Sequence, residues 1–403
     1  MHVRPLPIIL CLAALSLLYG CGPTQTGLKA RAEARQRLDA YSAQFTYDQA
    51  RQEFESGQFD RALRDIELAI RQEPEVAAFD LLKGRIHLEA GDLEEAVEAL
   101  AGALEKDSQL AEAHYYTGIV HQRWSDDEQA YEQYRQAYEL EHGNVQYLLA
   151  TAEALIALER LEDARTLVQP ELAYFEHDPA LRHLLGQIAL LADDPKTAAR
   201  YYEEARLLDP DNMMLLEELA WARYDAGQYG RCLETVRLLR ERLEEPRTDL
   251  VHLEARCLAM LDRTAEAHNR FMTLTKLAPD DETVWIEFGT LAWRLGDHRR
   301  MAQCSVRAID LAPGRFEGYM LKGLYERQRG RRAEALRSMK QAAARAEHDV
   351  LPHLLLGRLL EEAGELRAAF DAYSAALQID PASAEVQALH RQLKERLRVA
   401  TAE

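Results

Sequence analysis

The residues with catalytic or metal-binding potential are few and scattered. His87, His114 and His121 follow one another closely enough to be considered as metal ligands. Adjacent acids such as Glu94 and Glu95 could act as an acid–base pair only in a pocket that moves their pKa values apart. The sequence contains no phosphate-binding glycine loop, Gly-x-Ser-x-Gly elbow or His-Glu-x-x-His helix. We therefore expect no enzyme, no cofactor and no small-molecule substrate.

The five cysteines do not form a disulfide framework. Cys11 and Cys21 lie in the N-terminal segment, which leaves Cys232, Cys257 and Cys304 in the body of the chain. A sparse, odd set is not typical of a disulfide-stapled fold. We expect these three side chains to be small buried hydrophobic groups.

The N-terminal segment has the layout of a signal peptide. One cation, Arg4, precedes an apolar run over residues 8–18, which is too short for a permanent membrane span. The run ends in Leu18-Tyr19-Gly20-Cys21, which resembles the bacterial lipobox, although Tyr19 departs from the small residue usual at its position. This resemblance implies that residues 1–20 are removed and that Cys21 receives lipid. The alternatives are an ordinary signal peptide with an incidental cysteine and a buried hydrophobic helix.

A short polar tether follows Cys21 and favours lipid attachment over both alternatives. Membrane attachment would then come from acyl chains. By resemblance to lipoproteins of double-membraned bacteria, Gly22 indicates the outer membrane, facing the periplasm. We expect residues 21–42 to comprise the lipidated cysteine, the tether and an N-terminal helix.

From residue 43 onward the chain repeats about every 34 residues. A small residue recurs at Ala50, Gly84, Gly118, Ala152, Gly186, Ala220, Ala255, Gly289, Gly323 and Gly357. Twelve residues later comes a second position, which is nearly always small and is filled by Ala62, Ala96, Ala130, Ala164, Ala198, Cys232, Ala267, Met301, Ala335 and Ala369. Such residues mark the close approach of paired helices, and a turn glycine and a closing proline punctuate many of the units. Each unit is therefore predicted to be a helical hairpin.

This pattern resembles the tetratricopeptide repeat (TPR) family. The clearest unit carries Trp285, Phe288, Gly289, Gly296, Ala308 and Pro313 at the family spacing, and the fourth unit, with Glu159 at its turn, matches least well. The resemblance covers residues 43–382 and implies an all-α, right-handed superhelical solenoid of about ten hairpins, which a helix over residues 383–403 would cap. The family usually places core aromatic residues where the three histidines stand, which favours packing over metal ligation.

By the same resemblance, the first helices line a concave groove that binds partner proteins. The matching aromatic and arginine positions are Arg51, Arg85, Tyr115, Arg123, Trp221, Tyr224, Arg256, Trp293, Arg294 and Arg327. These residue types anchor protein interfaces. We expect Trp221, Arg256, Trp293 and Arg294, from three successive units, to share one surface. The alternative is that several of the groove residues, Phe54 and Trp293 especially, pack between repeats.

The charge is unevenly distributed. Residues 1–246 hold 25 Lys and Arg against 45 Asp and Glu, whereas residues 247–403 hold 24 against 23, which gives the overall charge of −19. The acidic part disfavours nucleic acid and anionic lipid. A basic stretch around Arg329, Arg331 and Arg332 is either a solvated face or a dock for an acidic partner.

These observations favour a non-catalytic scaffold that is lipid-anchored in the cell envelope and binds proteins during assembly or export. By resemblance, such lipoproteins serve type IV pilus secretin assembly, outer-membrane protein insertion or the regulation of envelope hydrolases. The alternatives are a component of polysaccharide export and, more remotely, an envelope hydrolase.

Overall fold

The computed structural model describes residues 24–400, which are entirely helical apart from turns and short connections. Cys21 and the predicted signal peptide lie outside the described residues. The helices are α1 Gln25–Glu55, α2 Phe59–Gln72, α3 Ala77–Ala90, α4 Leu93–Lys106, α5 Ala111–Arg123, α6 Asp127–Leu140, α7 Val145–Ala157, α8 Leu161–Glu171, α9 Pro179–Leu191, α10 Pro195–Leu208, α11 Met213–Asp225, α12 Tyr229–Arg242, α13 Thr248–Met260, α14 Thr264–Leu277, α15 Glu282–Leu295, α16 His298–Leu311, α17 Glu317–Gln328, α18 Arg332–Ala343, α19 Val350–Glu362, α20 Leu366–Ile379 and α21 Ala384–Ala400.

The chain forms two compact units, Met1–Ala192 and Asp193–Glu403. We call them unit 1 and unit 2. Unit 1 contains α1–α9 and unit 2 contains α10–α21. Within each unit, successive helices pack as hairpins, so the predicted fold class, an all-α repeat solenoid, is confirmed.

The hairpins close where the sequence places small residues. A Cβ atom added to Gly118 on α5 would lie 2.5 Å from Cδ1 of Tyr134 on α6. One added to Gly289 on α15 would lie 3.1 Å from Cβ of Cys304 on α16 and 2.7 Å from Cδ1 of Leu321 in the next repeat. The partner position twelve residues later is equally enclosed, as at Ala130 and Met301, which are almost fully buried. Since real side-chain carbons do not approach so closely, the small residues set how near the helices can come.

Ten turns between successive helices have a left-handed backbone. Six turns use glycine, at Gly57, Gly91, Gly227, Gly296, Gly330 and Gly364, and four use other residues, at Ser125, Glu159, Asp193 and Asp262. All ten have φ between 57° and 90°. The repeat register therefore determines the backbone conformation even where the sequence does not provide glycine.

The fourth hairpin, which matches the repeat pattern least well, is also the least regular. Its second helix, α8, has 11 residues and carries Pro170 in its last turn. Proline inside a helix removes one backbone hydrogen bond and clashes with the preceding turn, which explains why α8 ends there.

The two ends of the array differ. At the N-terminal end, α1 runs without interruption over 31 residues, so the boundary that we expected between residues 42 and 43 lies inside one helix. At the C-terminal end, α21 packs Val386 and Leu393 into the core of unit 2, with Leu389 and Leu397 partly buried beside them. None of the helices between residues 24 and 400 is long and apolar enough to cross a membrane.

Candidate protein-binding surface

In unit 1, Arg85 is held between neighbouring repeats. Its Nη1 donates to Oε1 of Glu112 at 3.0 Å. Its guanidinium lies 4.8 Å from the ring centre of Tyr116 and 5.5 Å from that of Phe54. Cation–π contacts and an inter-repeat ion pair therefore fix Arg85 within the packing of unit 1.

Tyr115 also belongs to this packing. Its ring lies 5.0 Å from that of Tyr147, 5.4 Å from Tyr116 and 5.7 Å from Tyr134. Burial raises the pKa of the Tyr115 phenol, and the nearby Glu153 carboxylate raises it further. The cluster joins two successive first helices, α5 and α7, and the hairpin partner α6 through aromatic edges and faces.

Arg123 and Arg51 complete the predicted positions of unit 1. Arg123 Nη1 donates to the carbonyl oxygen of Leu88 at 2.6 Å, which satisfies an acceptor near the end of α3 in the preceding repeat. Arg51 is exposed and makes a loose ion pair of 3.7 Å with Asp48 on the same helix.

Unit 2 presents a cleft of about 220 Å³ at the corresponding face. It lies between α11, α13, α14 and α15 and is lined by Tyr224, Arg256, Ala259, Met260, Phe271, Glu287, Thr290, Leu291 and Arg294. We call it the unit 2 cleft. Phe271 and Leu291 are almost fully buried and form its apolar floor, while Met260 is exposed at its edge. Phe271 is itself held by stacking on Phe288, with ring centres 5.6 Å apart.

The charged side of the unit 2 cleft is an ordered network. Arg256 donates to Glu287 from Nε at 3.0 Å and from Nη2 at 2.6 Å. His252 Nε2 lies 2.7 Å from the other carboxylate oxygen. Burial alone would raise the pKa of Glu287, but the hydrogen bonds from His252 and Arg256 outweigh it and hold that pKa below its usual range. The carboxylate therefore stays ionised and fixes the direction of the Arg256 guanidinium.

Arg294 is positioned by the repeat before it. Its Nη2 donates to Asp262 at 2.7 Å and its Nη1 to the carbonyl oxygen of Ala259 at 3.3 Å. Asp262 is exposed at the turn between α13 and α14. Two guanidinium groups, Arg256 and Arg294, thus line the same cleft in fixed orientations.

The two tryptophans of the predicted surface differ in their surroundings. Trp221 is 37% exposed and its ring lies 6.4 Å from that of Tyr224, edge to face, beside the unit 2 cleft. Trp293 is 43% exposed and is not among the residues that line the cleft. Trp293 therefore does not line the cleft that Arg256 and Arg294 share, contrary to the expectation that all three would form one surface.

Some arginines in and around the basic stretch of unit 2 are already paired within the protein. Arg327, the last of the predicted groove residues, is paired with Glu362 of the next repeat, outside the unit 2 cleft. Arg345 donates to the carbonyl oxygen of Pro313 at 2.9 Å and covers the ring of Tyr319. Arg329, Arg331 and Arg332 are exposed at the turn between α17 and α18.

The sequence did not single out six of the residues that line the unit 2 cleft: Ala259, Met260, Phe271, Glu287, Thr290 and Leu291. The sequence did contain a signal for Glu287. This residue stands two positions before the small Gly289, and from there a carboxylate can reach the preceding repeat. Phe271 lies on a second helix, which the groove prediction did not consider. The cleft depends on how three hairpins meet, and no single repeat contains that information.

The His, Cys and acidic side chains of the described residues do not cluster as metal ligands. Between residues 24 and 400 no group of three or more His, Cys, Asp or Glu side chains could hold a metal ion. Cys232, Cys257 and Cys304 are free and buried, as predicted. Burial raises the pKa of the Cys304 thiol to about 12. The unit 2 cleft is suited to binding. Its apolar floor can hold a side chain, and the guanidinium groups at its rim can donate hydrogen bonds to polar atoms beside that side chain.

Comparison with known proteins supports the repeat assignment. A family model described as tetratricopeptide repeat matches residues 47–111 and 320–384. A TPR repeat-containing protein of Treponema pallidum (strain Nichols) is 29% identical over a region that covers 40% of this chain. This chain spans 23% of the length of that curated relative.

Several solved structures are similar to the chain at low sequence identity. A tetratricopeptide repeat protein from Parabacteroides merdae is 16% identical, covers 60% of this chain and 96% of its own, and has a TM-score of 0.44. Pseudomonas aeruginosa pilF is 22% identical, with 51% and 93% covered and a TM-score of 0.41. Yeast Tom70 is 15% identical, with 88% of each chain covered and a TM-score of 0.44.

The family matches fall near both ends of the array, in unit 1 and in unit 2. They agree with the ten small-residue pairs and the ten left-handed turns. Residues 47–111 and 320–384 therefore match the tetratricopeptide repeat model, and the regular pattern between them has the same period.

Proposed function

We propose that this protein is a non-catalytic scaffold of the cell envelope, and that the unit 2 cleft binds a segment of a partner protein by one apolar side chain. The supporting observation is the cleft itself, which combines a buried apolar floor with two oriented guanidinium groups. The floor suits a leucine- or phenylalanine-sized group, and Arg256 and Arg294 suit the carbonyl or carboxylate oxygens beside it.

The size of the cleft favours a side chain over a metabolite. At about 220 Å³ it is smaller than the roughly 300–1,000 Å³ of pockets that enclose small-molecule ligands. Because the rim is already held by Glu287 and Asp262, little side-chain entropy is lost when a partner binds. A preorganised rim around an apolar floor is the usual composition of an interface hot spot.

Attachment to the envelope rests on Cys21, which we propose is lipidated after removal of residues 1–20. The finer placement, at the outer membrane facing the periplasm, and a role in envelope assembly or export are part of the same proposal. Labelling cells with an alkyne fatty acid tests it: the wild type should carry the label and Cys21→Ser should not. Equal labelling of both would remove the lipid anchor from the proposal.

A photo-crosslinking amino acid at Thr290 tests partner binding, because this side chain lines the unit 2 cleft. We expect a crosslinked protein that mass spectrometry identifies, and its loss when Ala259 is also replaced by leucine. The matched control places the crosslinker at Ile119, which packs against the unit 1 core and occupies the same repeat position. Crosslinks to a polysaccharide would favour the export alternative, and crosslinks that Ala259→Leu leaves unchanged would contradict the cleft.

Two further substitutions separate binding from stability. Trp221→Ala and Arg294→Ala should weaken capture of the crosslinked partner, each by about 2 kcal/mol or roughly thirtyfold, if they form the hot spot. Both side chains are partly exposed, so the melting temperature should change little. Capture retained in both variants would mean that the partner uses another face.

A further inference from the structure

The first part of α1 stands free of the rest of unit 1. No residue between 24 and 42 is buried, whereas Ala43, Thr46 and Ala50, farther along the same helix, pack into the first hairpin. The free part, residues 25–42, is about 27 Å long at 1.5 Å per residue. It continues a helix whose later residues pack, but within the described chain its own side chains gain no buried contact.

An apolar stripe runs along the free part and ends on the first hairpin. It consists of Ala30, Ala34, Leu38, Tyr41 and Phe45, which follow one another at intervals of three or four residues. Leu38, Tyr41 and Phe45 are 67%, 78% and 72% exposed. At 100° per residue, the stripe points away from Ala43 and Thr46, which face the core. We call this the α1 stripe.

Arginine borders the α1 stripe on both sides. On the same helical projection, Arg31 lies next to Leu38 and Arg37 lies next to Ala30 and Tyr41. Glu33 and Asp39, the acids of the free part, lie farther round the helix. An apolar stripe with cations at both edges suits the boundary between acyl chains and anionic headgroups, where arginine places its charge in the polar layer.

Two copies of the helix fit this pattern poorly. If two α1 stripes packed on each other, the arginines at the edges of one would face arginines at the edges of the other, in parallel or antiparallel order. Like charges at such flanking positions destabilise a helix pair. An anionic surface turns the same arginines into a favourable contribution.

The position of α1 in the chain agrees with a lipid surface. Its first residue, Gln25, follows Cys21 by four residues, so a lipid at Cys21 would hold the start of the helix within about 14 Å of the headgroups. This step rests on the proposed anchoring. The remaining chain carries a net negative charge, which lies almost entirely before residue 247, and a basic contact at α1 would offset its repulsion from an anionic membrane.

From these observations we infer that the α1 stripe lies on an anionic lipid surface, with Leu38, Tyr41 and Phe45 in the acyl boundary and Arg31 and Arg37 among the headgroups. The protein would thus meet the membrane through a folded surface in addition to its lipid.

Hydrogen exchange on the full chain tests this inference. The protein, purified from membranes, is reconstituted into vesicles of equal parts phosphatidylglycerol and phosphatidylcholine, or of phosphatidylcholine alone. We expect the amides of residues 25–42 to exchange on the order of tenfold more slowly on the anionic vesicles. The triple variant Leu38→Ser/Tyr41→Ser/Phe45→Ser should lose this protection on both kinds of vesicle, while α2 and α3 keep theirs.

Matched controls separate the stripe from general surface hydrophobicity. Leu207, Leu238 and Leu351 are also exposed, and replacing all three by serine should leave residues 25–42 protected. Arg31→Gln/Arg37→Gln should remove the difference between anionic and neutral vesicles. Protection that follows protein density in the vesicle instead of lipid charge would show self-pairing and overturn the inference, as would equal exchange on both lipids.

Failure of the lipid-anchoring proposal can be distinguished from failure of the inference about the α1 stripe. If the protein does not float with vesicles, lipidation is wrong, and the exchange comparison is repeated with vesicles added to the soluble protein. Slower exchange of residues 25–42 would still support the α1 stripe, and unchanged exchange would overturn it.

Discussion

Arg85 in unit 1 and Arg256 in unit 2 occupy the same position in their repeats, but only Arg256 lies beside an open cleft. Both arginines follow the small residue of a first helix, Gly84 or Ala255. In unit 1 the neighbouring repeat positions carry Leu88, Tyr116 and Ile119, and in unit 2 they carry Ala259, Glu287 and Thr290. Larger apolar side chains fill the space beside Arg85, and smaller or polar ones leave the unit 2 cleft beside Arg256.

The repeat register therefore sets the position of each arginine, and the neighbouring side chains determine whether it packs between repeats or lines a cleft. Arg85 covers the rings of Tyr116 and Phe54 and becomes part of the packing. Arg256 pairs with a carboxylate and remains beside an open floor. A solenoid can therefore make a binding cleft by three substitutions on a scaffold that stays the same.

The largest expected effect comes from emptying the filled position. Leu88 is almost fully buried in unit 1, so Leu88→Ala should destabilise the surrounding repeats by about 2–5 kcal/mol. Native-state hydrogen exchange should show the loss in α3–α6 and little change in unit 2, because repeats couple mainly to their neighbours. The matched variant Ala259→Gly in unit 2 removes one carbon from a half-buried site and should cost about 1 kcal/mol. Equal losses from both would mean that the two sites are packed alike.

The next effect is on binding. Ala259→Leu/Thr290→Ile gives unit 2 the residues of unit 1 and should fill the unit 2 cleft. Capture of the partner should fall about thirtyfold, corresponding to about 2 kcal/mol, with unit 2 no less stable. Titration of the purified variant against the crosslinked partner measures this. Full-strength binding by a stable variant would show that the cleft does not take the side chain.

The repeats could be predicted from sequence because each is a local pattern. Small residues at fixed spacing require close helices, and Gly296 or Gly330 marks a left-handed turn directly. The uninterrupted α1 was also visible in principle, since Tyr41-Ser42-Ala43 contains no helix breaker. The partners of Arg85, Arg256 and Arg294 were not, because they come from repeats about thirty residues away and depend on which side chain reaches across.

Removing Arg256 should have a pH-dependent effect. The pKa of Glu287 is lowered in the folded protein, because hydrogen bonds from His252 and Arg256 outweigh burial, so its stabilisation is present above the unfolded pKa of about 4.3 and is lost as the pH falls through the folded value. In Arg256→Met, burial should raise that pKa. The variant should then lose about 1–3 kcal/mol near neutral pH and less in acid, where the carboxyl becomes neutral.

Local exchange protection of α13 and α15, measured near neutral pH and near pH 4, checks the sign. The control Arg51→Met breaks an exposed pair of 3.7 Å with Asp48 and should change stability by less than about 1 kcal/mol at either pH. A loss in Arg256→Met that grows as the pH falls would contradict the assignment of Glu287 as a buried, ionised partner.

The smallest effect concerns the turns, which in both units use either glycine or another residue. Ser125 and Glu159 of unit 1 adopt φ of 60° and 59°, and Asp262 of unit 2 adopts 57°, a conformation in which their Cβ atoms crowd the backbone. Glycine turns such as Gly296 are free of that strain. Glu159→Gly should remove the strain but give the unfolded chain more freedom, for a net gain of about 0.5–1 kcal/mol. Exchange protection of α7 and α8 should rise accordingly.

Gly296→Ala is the reverse change in unit 2 and should destabilise α15 and α16 by a similar amount, although a Cβ at Gly296 would meet no atom within 4 Å. Because that site has open space, any loss there comes from the backbone angle alone, and a neutral Gly296→Ala would show that the left-handed turn carries no cost in this solenoid.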